Sequence, residues 1–149
     1  MNNQMQHSTQ IYGTTLYLGS VPLETKYKLF TAHTYQDLIH KGYIIALTTG
    51  EITAESHLYT RIHSSCVTSE TLRSLDCDCV NQLEGALEEI STHGTGVLFY
   101  LIQEGRGCGY VGKSRACMLV QYKEDKITTF EAYDQLGMIP DYRSYRNIK

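Results

Sequence analysis

The chain has 149 residues, of which 42% are hydrophobic and 19% are charged, and its formal net charge is −3. This length and composition predict one globular domain over residues 1–149 with a core of its own, and they exclude an intrinsically disordered chain. The 13 basic and 16 acidic residues argue against a nucleic-acid-binding protein, which would usually carry a basic face.

The N-terminus and the longest apolar run bear on localisation. The opening residues, MNNQMQHSTQ, do not combine a basic start with an apolar stretch, as a secretory signal would. The longest apolar run, residues 97–102, is too short to cross a bilayer. We therefore expect a cytoplasmic protein without membrane contact, in which the five cysteines stay reduced.

The first part of the chain has the composition of antiparallel strands. Segments rich in Tyr, Thr, Ile and Leu alternate with turn residues, which is the pattern of a sheet built from hairpins. The predicted strands cover residues 11–18, 26–32, 43–48 and 57–63.

The pattern changes near Asn81, where apolar residues recur at the spacing of one helix face. These residues are Leu83, Ala86, Leu87 and Ile90. Asn81 and Glu84 resemble a capping box that would begin this helix, and Gly94 suits its end. A buried strand is predicted over residues 95–103, followed by helices near 112–123 and 129–136. The fold class is therefore α+β, with a mainly antiparallel N-terminal sheet and helices packed on it in the C-terminal half.

Three of the five cysteines lie close together in the segment RIHSSCVTSETLRSLDCDC. On an extended segment Cys77 and Cys79 point the same way, and the chain between Cys66 and Cys77 is long enough to fold back. Three thiolates leave the fourth position of a tetrahedral zinc ion open, as catalytic zinc sites do.

Two alternatives stay open from the spacing alone. The cysteines could be small buried apolar residues, because free cysteine is among the most buried residue types. His63 or His93 could also complete four ligands and make a structural site, although His63 fits a strand histidine better.

A glycine-rich segment, QEGRGCG, follows the last predicted strand and precedes a helix that contains Lys113 and Arg115. Its glycines let backbone amides approach phosphate oxygens closely, and a helix N-terminus attracts anions. The spacing is not that of a P-loop, and such a segment can also be no more than a turn. Cys108, with a glycine on either side, is not expected to bind metal.

Taken together, these motifs resemble the GTP cyclohydrolase II family. In family order they are RIHSSC, SLDCDC followed by Gln82, QEGRG-x-G, Lys113-x-Arg115-Ala116, and E-A-x-x-x-L-G-x-x-x-D-x-R-x-Y from Glu131 to Tyr145. The resemblance implies a zinc-dependent homodimer that acts on GTP, with Mg²⁺ at the triphosphate, at the entry to riboflavin biosynthesis. The family's reaction opens the imidazole ring of guanine by attack of an activated water at C8, and it releases formate and pyrophosphate.

The resemblance also implies roles for individual residues. Cys66, Cys77 and Cys79 match the ligands of one zinc ion per chain. Asp141 matches the acid/base residue, and Arg143 matches the arginine that takes up the α-phosphoryl group as pyrophosphate leaves. The nucleotide-binding positions of the family match Arg61, Ile62, His63, Ser64, Ser65, Gln82, Glu104, Gly105, Arg106 and Thr129. Without the resemblance, an ordinary surface ion pair is the favoured interpretation of Asp141 and Arg143.

The sequence departs from the family pattern at three places. Cys117 stands where the family has a tyrosine that is associated with formate release, and Tyr133 stands where it has an asparagine. The chain also ends at Lys149, before a further family segment, so the resemblance is to a C-terminally short, divergent member. Three functions remain open: complete hydrolysis, ring opening that stops at a formylamino-pyrimidine, and nucleotide binding without turnover by a zinc-stabilised relative.

Overall fold

The computed structural model describes residues 9–54 and 57–148, so most of the N-terminal segment considered above lies outside the described residues. The described strands, in chain order, are β1 (Gln10–Tyr12), β2 (Thr15–Glu24), β3 (Leu29–Asp37), β4 (Tyr43–Thr49), β5 (Tyr59–Ser64) and β6 (Gly96–Leu101). The helices are α1 (Val67–Glu70), α2 (Cys79–His93), α3 (Gly109–Tyr122) and α4 (Thr129–Gln135), with short 3₁₀ turns at Gly105–Gly107 and Arg146–Ile148.

The strands form one sheet in the order β1-β2-β3-β4-β6-β5. The pairs β1–β2, β2–β3, β3–β4 and β4–β6 are antiparallel. The chain thus has an antiparallel sheet in its N-terminal half and helices in its C-terminal half, which confirms the α+β class. Among the helices of residues 9–54 and 57–148, none has the length and apolar character needed to cross a bilayer.

The contacts between residues group the chain into two compact units. The first contains the described residues of 1–63, 81–102 and 147–149, and therefore most of the sheet and of α2. The second contains residues 64–80 and 103–146, with α1, α3 and α4. The single domain predicted over residues 1–149 stays a prediction.

The core of the first unit lies between the sheet and the apolar face of α2. Phe30, Leu98 and Ile90 are almost fully buried there, at 1%, 0% and 2% exposure. Leu83, Ala86 and Leu87 of α2 pack against the same cluster. These are the residues whose spacing predicted the helix, so that prediction is confirmed.

Several predicted boundaries differ from the structure, and each difference has a local cause. The strand predicted over residues 11–18 is broken by a turn at Gly13, whose φ is +58°, and it forms the hairpin β1–β2 instead. The strand predicted from residue 26 begins at Leu29, because Thr25 and Lys28 close a turn in which the Thr25 hydroxyl accepts from the Lys28 amide at 3.1 Å.

The predicted start of α2 is also wrong by a few residues. The helix begins at Cys79, so Asn81 and Glu84 lie inside it and do not form its capping box. A capping box begins α4 instead, where the Thr128 hydroxyl accepts from the Glu131 amide at 3.2 Å and the Glu131 carboxylate accepts from the Thr128 amide at 2.6 Å. The predicted end of α2 is right, because Gly94 follows His93 with a φ of +90°.

The core of the first unit gives a stability prediction. Leu98 is 0% exposed, whereas Leu29, also on the sheet, is 59% exposed. We expect Leu98→Ala to lower the free energy of unfolding by about 2–5 kcal/mol, because it removes buried methyl groups and leaves a cavity. Leu29→Ala should change it by less than about 0.5 kcal/mol. Chemical denaturation measures both, and equal effects of the two variants would contradict this description of the core.

Candidate metal centre

Three cysteine sulfurs meet in the second unit. The ligand atoms of Cys66, Cys77 and Cys79 all lie within 4.8 Å of one another, with Sγ–Sγ distances of 3.7 Å from Cys66 to Cys77 and 3.2 Å from Cys77 to Cys79. All three are free thiols, and Cys66 is only 3% exposed. A group of three thiols at this spacing could hold one metal ion, and thiolates are ligands that zinc prefers.

The local fold explains why the sulfurs meet. Cys66 directly precedes α1, Cys77 lies between α1 and α2, and Cys79 is the first residue of α2. The buried Ser69 of α1 ties these segments together, because its hydroxyl donates to the Cys77 carbonyl at 2.9 Å and accepts from the Val80 amide at 2.9 Å. The turn that carries Cys77 and Cys79 is therefore fixed to α1, the helix that follows Cys66.

The thiols of Cys66 and Cys79 do not ionise equally. Burial opposes ionisation of Cys66, but hydrogen bonds from Lys113 and Thr68 outweigh it, and the pKa of the Cys66 thiol falls below its usual value. Burial raises the pKa of Cys79 to about 12, and the hydrogen bond with Cys77 adds to that effect. Of these two thiols, Cys66 therefore forms a thiolate more readily than Cys79, and a cation shared by the sulfurs would favour ionisation of Cys79.

Lys113 of α3 connects this cluster to the glycine-rich segment. Its Nζ donates to Cys66 Sγ at 2.9 Å and to Glu104 Oε1 at 2.9 Å. Burial opposes the charge of Lys113, but these two hydrogen bonds outweigh it and raise the pKa of its ammonium above the usual value. Lys113 is therefore a cation at neutral pH, at hydrogen-bonding distance from a candidate metal ligand.

The glycine-rich segment forms a tight turn with positive φ at Gly105, Arg106 and Gly107. The Arg106 guanidinium lies 3.8 Å from the centre of the Phe130 ring, and the Arg106 carbonyl accepts from the Tyr142 amide at 2.8 Å. Among the described residues, Arg106 Nη1 is buried and has no hydrogen-bond partner. The turn thus presents a fixed guanidinium with hydrogen-bonding capacity left for an anion.

Asp141 and Arg143 form a bidentate ion pair. Arg143 Nε donates to both carboxylate oxygens of Asp141, at 2.9 Å and 3.0 Å, and Arg143 Nη2 also contacts Asp141 Oδ2. The hydrogen bonds from Arg143 hold the pKa of the Asp141 carboxyl below its usual value. The carboxylate is therefore ionised at neutral pH, and it can accept a proton but has none to donate.

The other predicted nucleotide-binding residues divide between the two units. Ser64, Ser65 and Thr129 belong to the second unit, where Ser64 Oγ accepts from Gln103 Nε2 at 2.9 Å. Arg61, Ile62, His63 and Gln82 belong to the first unit. Within that unit Arg61 donates to Gln82 Oε1 at 2.7 Å, and the buried His63 stacks on Tyr100 with 5.8 Å between ring centres.

The two residues that depart from the family pattern have different surroundings. Cys117 is half-buried on α3, and burial raises the pKa of its thiol, with smaller effects from Lys113, Asp76 and the cluster cysteines. Tyr133 is 3% exposed and packs with Ala116 and Ala132, and its hydroxyl donates to the Gly105 carbonyl at 3.3 Å. Tyr133 therefore supports the glycine-rich turn from inside the core.

The sequence analysis missed two residues at this site. Ser69 gave no signal, since serines near helix starts are common. Lys113 was noted as a basic residue and as part of a family motif, but without a role, and its spacing from Cys66 does not reveal that the two meet. Cys108, which was not expected to bind metal, donates its thiol proton to the Ile139 carbonyl at 3.3 Å.

The sequence of this chain is similar to those of known proteins that share one name. The family model for GTP cyclohydrolase II matches residues 17–149. A protein of Saccharophagus degradans named GTP cyclohydrolase-2 is 39% identical over 136 residues, which cover 91% of this chain and 66% of that protein. Proteins of the same name from Hahella chejuensis and Shewanella baltica are 41% and 40% identical, over 89% of this chain and 63% and 64% of their own lengths.

The chain thus spans slightly less than two thirds of the length of these curated relatives. The match covers all the elements that carry the three thiols, the glycine-rich turn and the Asp141–Arg143 pair. This chain belongs to the GTP cyclohydrolase II family.

Proposed function

We propose that this protein is a zinc-dependent hydrolase that opens the imidazole ring of the guanine base of GTP. The observation that carries the proposal is the group of three free thiols within 4.8 Å of one another, in a chain that belongs to this family. In the proposed reaction pyrophosphate and formate are released, and the product enters riboflavin biosynthesis. We also propose that the protein works as a cytoplasmic homodimer.

The donor set fits zinc. Three thiolates from Cys66, Cys77 and Cys79 would hold one ion per chain, and the pKa of Cys66 is already lowered by the adjacent ammonium of Lys113. Zinc bound in this way supplies a Lewis acid and lowers the pKa of a water molecule to about 7. Three protein ligands are the number that catalytic zinc sites use.

The remaining residues have roles that follow from their charge. Arg106 presents a buried Nη1 without a partner among the described residues, which suits a phosphate oxygen of GTP. Arg143 has a cationic guanidinium that would neutralise the charge of the α-phosphoryl group as pyrophosphate leaves, and Mg²⁺ would accompany the triphosphate. Asp141 is held ionised by Arg143, so it can accept a proton from the attacking water and return it to the departing nitrogen. Arg61, Ile62, His63, Ser64, Ser65, Gln82, Glu104, Gly105 and Thr129 are proposed as the other nucleotide-binding positions.

A second candidate function is ring opening without release of formate. A thiol at position 117 is smaller than a phenol and cannot reproduce its reach or its hydrogen bond. Tyr133 is an unsuitable replacement, because it is 3% exposed and its hydroxyl is already engaged with Gly105. The product of this candidate reaction would be a formylamino-pyrimidine that keeps the C8 carbon of guanine.

The first test of the proposal is metal content. Protein purified without chelators should contain one zinc per chain, and Cys77→Ser should lose it together with GTP turnover, because a hydroxyl is a far poorer zinc ligand than a thiolate. Inductively coupled plasma mass spectrometry measures the metal. Cys108→Ser is the matched control and should keep its zinc, since that thiol contacts Ile139 and lies outside the cluster. Metal-free protein of unchanged activity would refute the proposal.

The second test concerns Asp141 and Arg143. We expect Asp141→Asn to lower GTP turnover by roughly 10²- to 10⁴-fold while zinc stays bound, which is the usual scale for losing general acid/base catalysis. Arg143→Lys should also lower GTP turnover, because an ammonium cannot reproduce the planar, bidentate hydrogen bonding of a guanidinium. Asp134→Asn, at an exposed position on α4, is the control and should turn over GTP normally. Wild-type rates for both site variants would mean that these residues form an ordinary surface ion pair.

The third test separates the candidate functions by product mass. After incubation with GTP, Zn²⁺ and Mg²⁺, the second candidate function predicts the mass of the formylamino product and little free formate, and Cys117→Tyr should then increase formate if its larger ring is accommodated. Stoichiometric formate from the unmodified protein would instead establish complete hydrolysis. Unchanged GTP, together with measurable nucleotide binding, would identify a zinc-stabilised binding module.

A further inference from the structure

We propose that Lys113 and Glu104 are positioning residues that hold the three-thiol site ready for metal. The inference rests on the proposed function, because it concerns the zinc centre of that function. It adds this role to the nucleotide binding that the family resemblance gives Glu104, and it assigns a role to Lys113.

The carboxylate of Glu104 accepts three hydrogen bonds within the second unit. Its Oε2 accepts from the Val67 amide at 2.6 Å, and its Oε1 accepts from the Gly105 amide at 3.1 Å and from Lys113 Nζ at 2.9 Å. The side chain is only 12% exposed. The three donors fill three of about four acceptor positions of the carboxylate and hold it in one orientation.

The hydrogen bond from Val67 shows which part of the main chain Glu104 holds in place. Val67 directly follows Cys66, so the hydrogen bond from its amide to Glu104 fixes the main chain next to a candidate metal ligand. Glu104 also holds the Gly105 amide, and therefore the start of the glycine-rich turn. One carboxylate thus connects the two motifs that the sequence places far apart.

Lys113 completes the connection through its charge. Its ammonium, 18% exposed, donates to Cys66 Sγ and to Glu104 Oε1, both at 2.9 Å. Three thiolates around a divalent cation carry a net charge of −1, which a nearby ammonium neutralises. Without Lys113, the Cys66 thiolate and the Glu104 carboxylate would lie close together in a partly buried setting with no cation between them, and such an arrangement is costly. The ammonium therefore lowers the electrostatic energy of the assembled site.

The structure offers a matched control in the same unit. Lys126 and Glu124 form an ion pair at 2.6 Å between Nζ and Oε2, with side chains 75% and 77% exposed. An exposed pair of this kind contributes little to stability. Lys126→Met therefore removes the same charge as Lys113→Met, from an ion pair of the same composition that has no contact with a thiol.

The test is the zinc affinity of the full chain at fixed pH, measured by competition with a chromophoric chelator. We expect Lys113→Met to weaken Zn²⁺ binding by about 10- to 100-fold, the range typical of residues that support metal ligands. Lys126→Met should leave the affinity within about threefold of the parent, since exposed pairs have small effects. Lys113→Arg, which keeps the cation and several N–H donors, should recover most of the lost affinity.

Glu104→Gln is nearly isosteric, and it tests the same claim even if Lys113→Met fails to fold. We expect it to weaken Zn²⁺ binding and to shift the sulfur-to-metal charge-transfer band of the Co²⁺-loaded protein. Unchanged Zn²⁺ affinity together with an unchanged charge-transfer band would overturn the positioning role of Glu104, whatever the KM for GTP.

The outcomes also separate this inference from the proposed function. A parent protein that binds Zn²⁺ tightly, with Lys113→Met and Glu104→Gln binding it equally tightly, would overturn the positioning role and leave the zinc proposal intact. A parent protein that binds no Zn²⁺ would overturn both.

Discussion

The hydrogen bond between the Lys113 ammonium and the Cys66 sulfur, 2.9 Å long, is the interaction on which the rest of the candidate site depends. Sulfur atoms grouped within 4.8 Å of one another cannot all ionise without a cation nearby. Lys113 supplies one positive charge from α3, and Glu104 fixes that charge in place while holding the main chain beside Cys66. Ser69 then holds the turn that brings Cys77 and Cys79 to the same point.

This arrangement explains why the glycine-rich turn lies beside the thiols. Glu104 begins the turn, and the positive φ at Gly105, Arg106 and Gly107 reverses the chain between β6 and α3. Tyr133 supports the turn from the core through its hydrogen bond to Gly105, and Tyr142 contacts it through the Arg106 carbonyl. The segment that carries Asp141 and Arg143 is tied to the same turn by that last contact. The candidate metal-binding, phosphate-binding and acid/base residues therefore lie on short segments that a few hydrogen bonds connect.

The sequence predicted the parts of this structure that depend on local pattern. Helix α2 and the cysteine cluster were both predicted. The apolar spacing of the helix and the three close cysteines are each visible within a short segment of the sequence. The break at Gly13 and the start of β3 at Leu29 were not, since turns compete with strand formation over only a few residues. The meeting of Lys113 with Cys66 could not be predicted, because that contact depends on how α3 packs. The roles of Asp141 and Arg143 came from family resemblance, and the ion pair between them fits both the catalytic and the ordinary interpretation.

The most direct measurement of the central claim is zinc K-edge X-ray absorption on the metal-loaded protein. The expected coordination shell contains three sulfur atoms at about 2.3 Å and one lighter oxygen or nitrogen atom, the latter exchangeable with solvent. That result would place zinc on Cys66, Cys77 and Cys79 with one position available for chemistry. Four sulfur atoms, or a shell of oxygen and nitrogen alone, would contradict the account, because the first would close the site and the second would place the metal elsewhere.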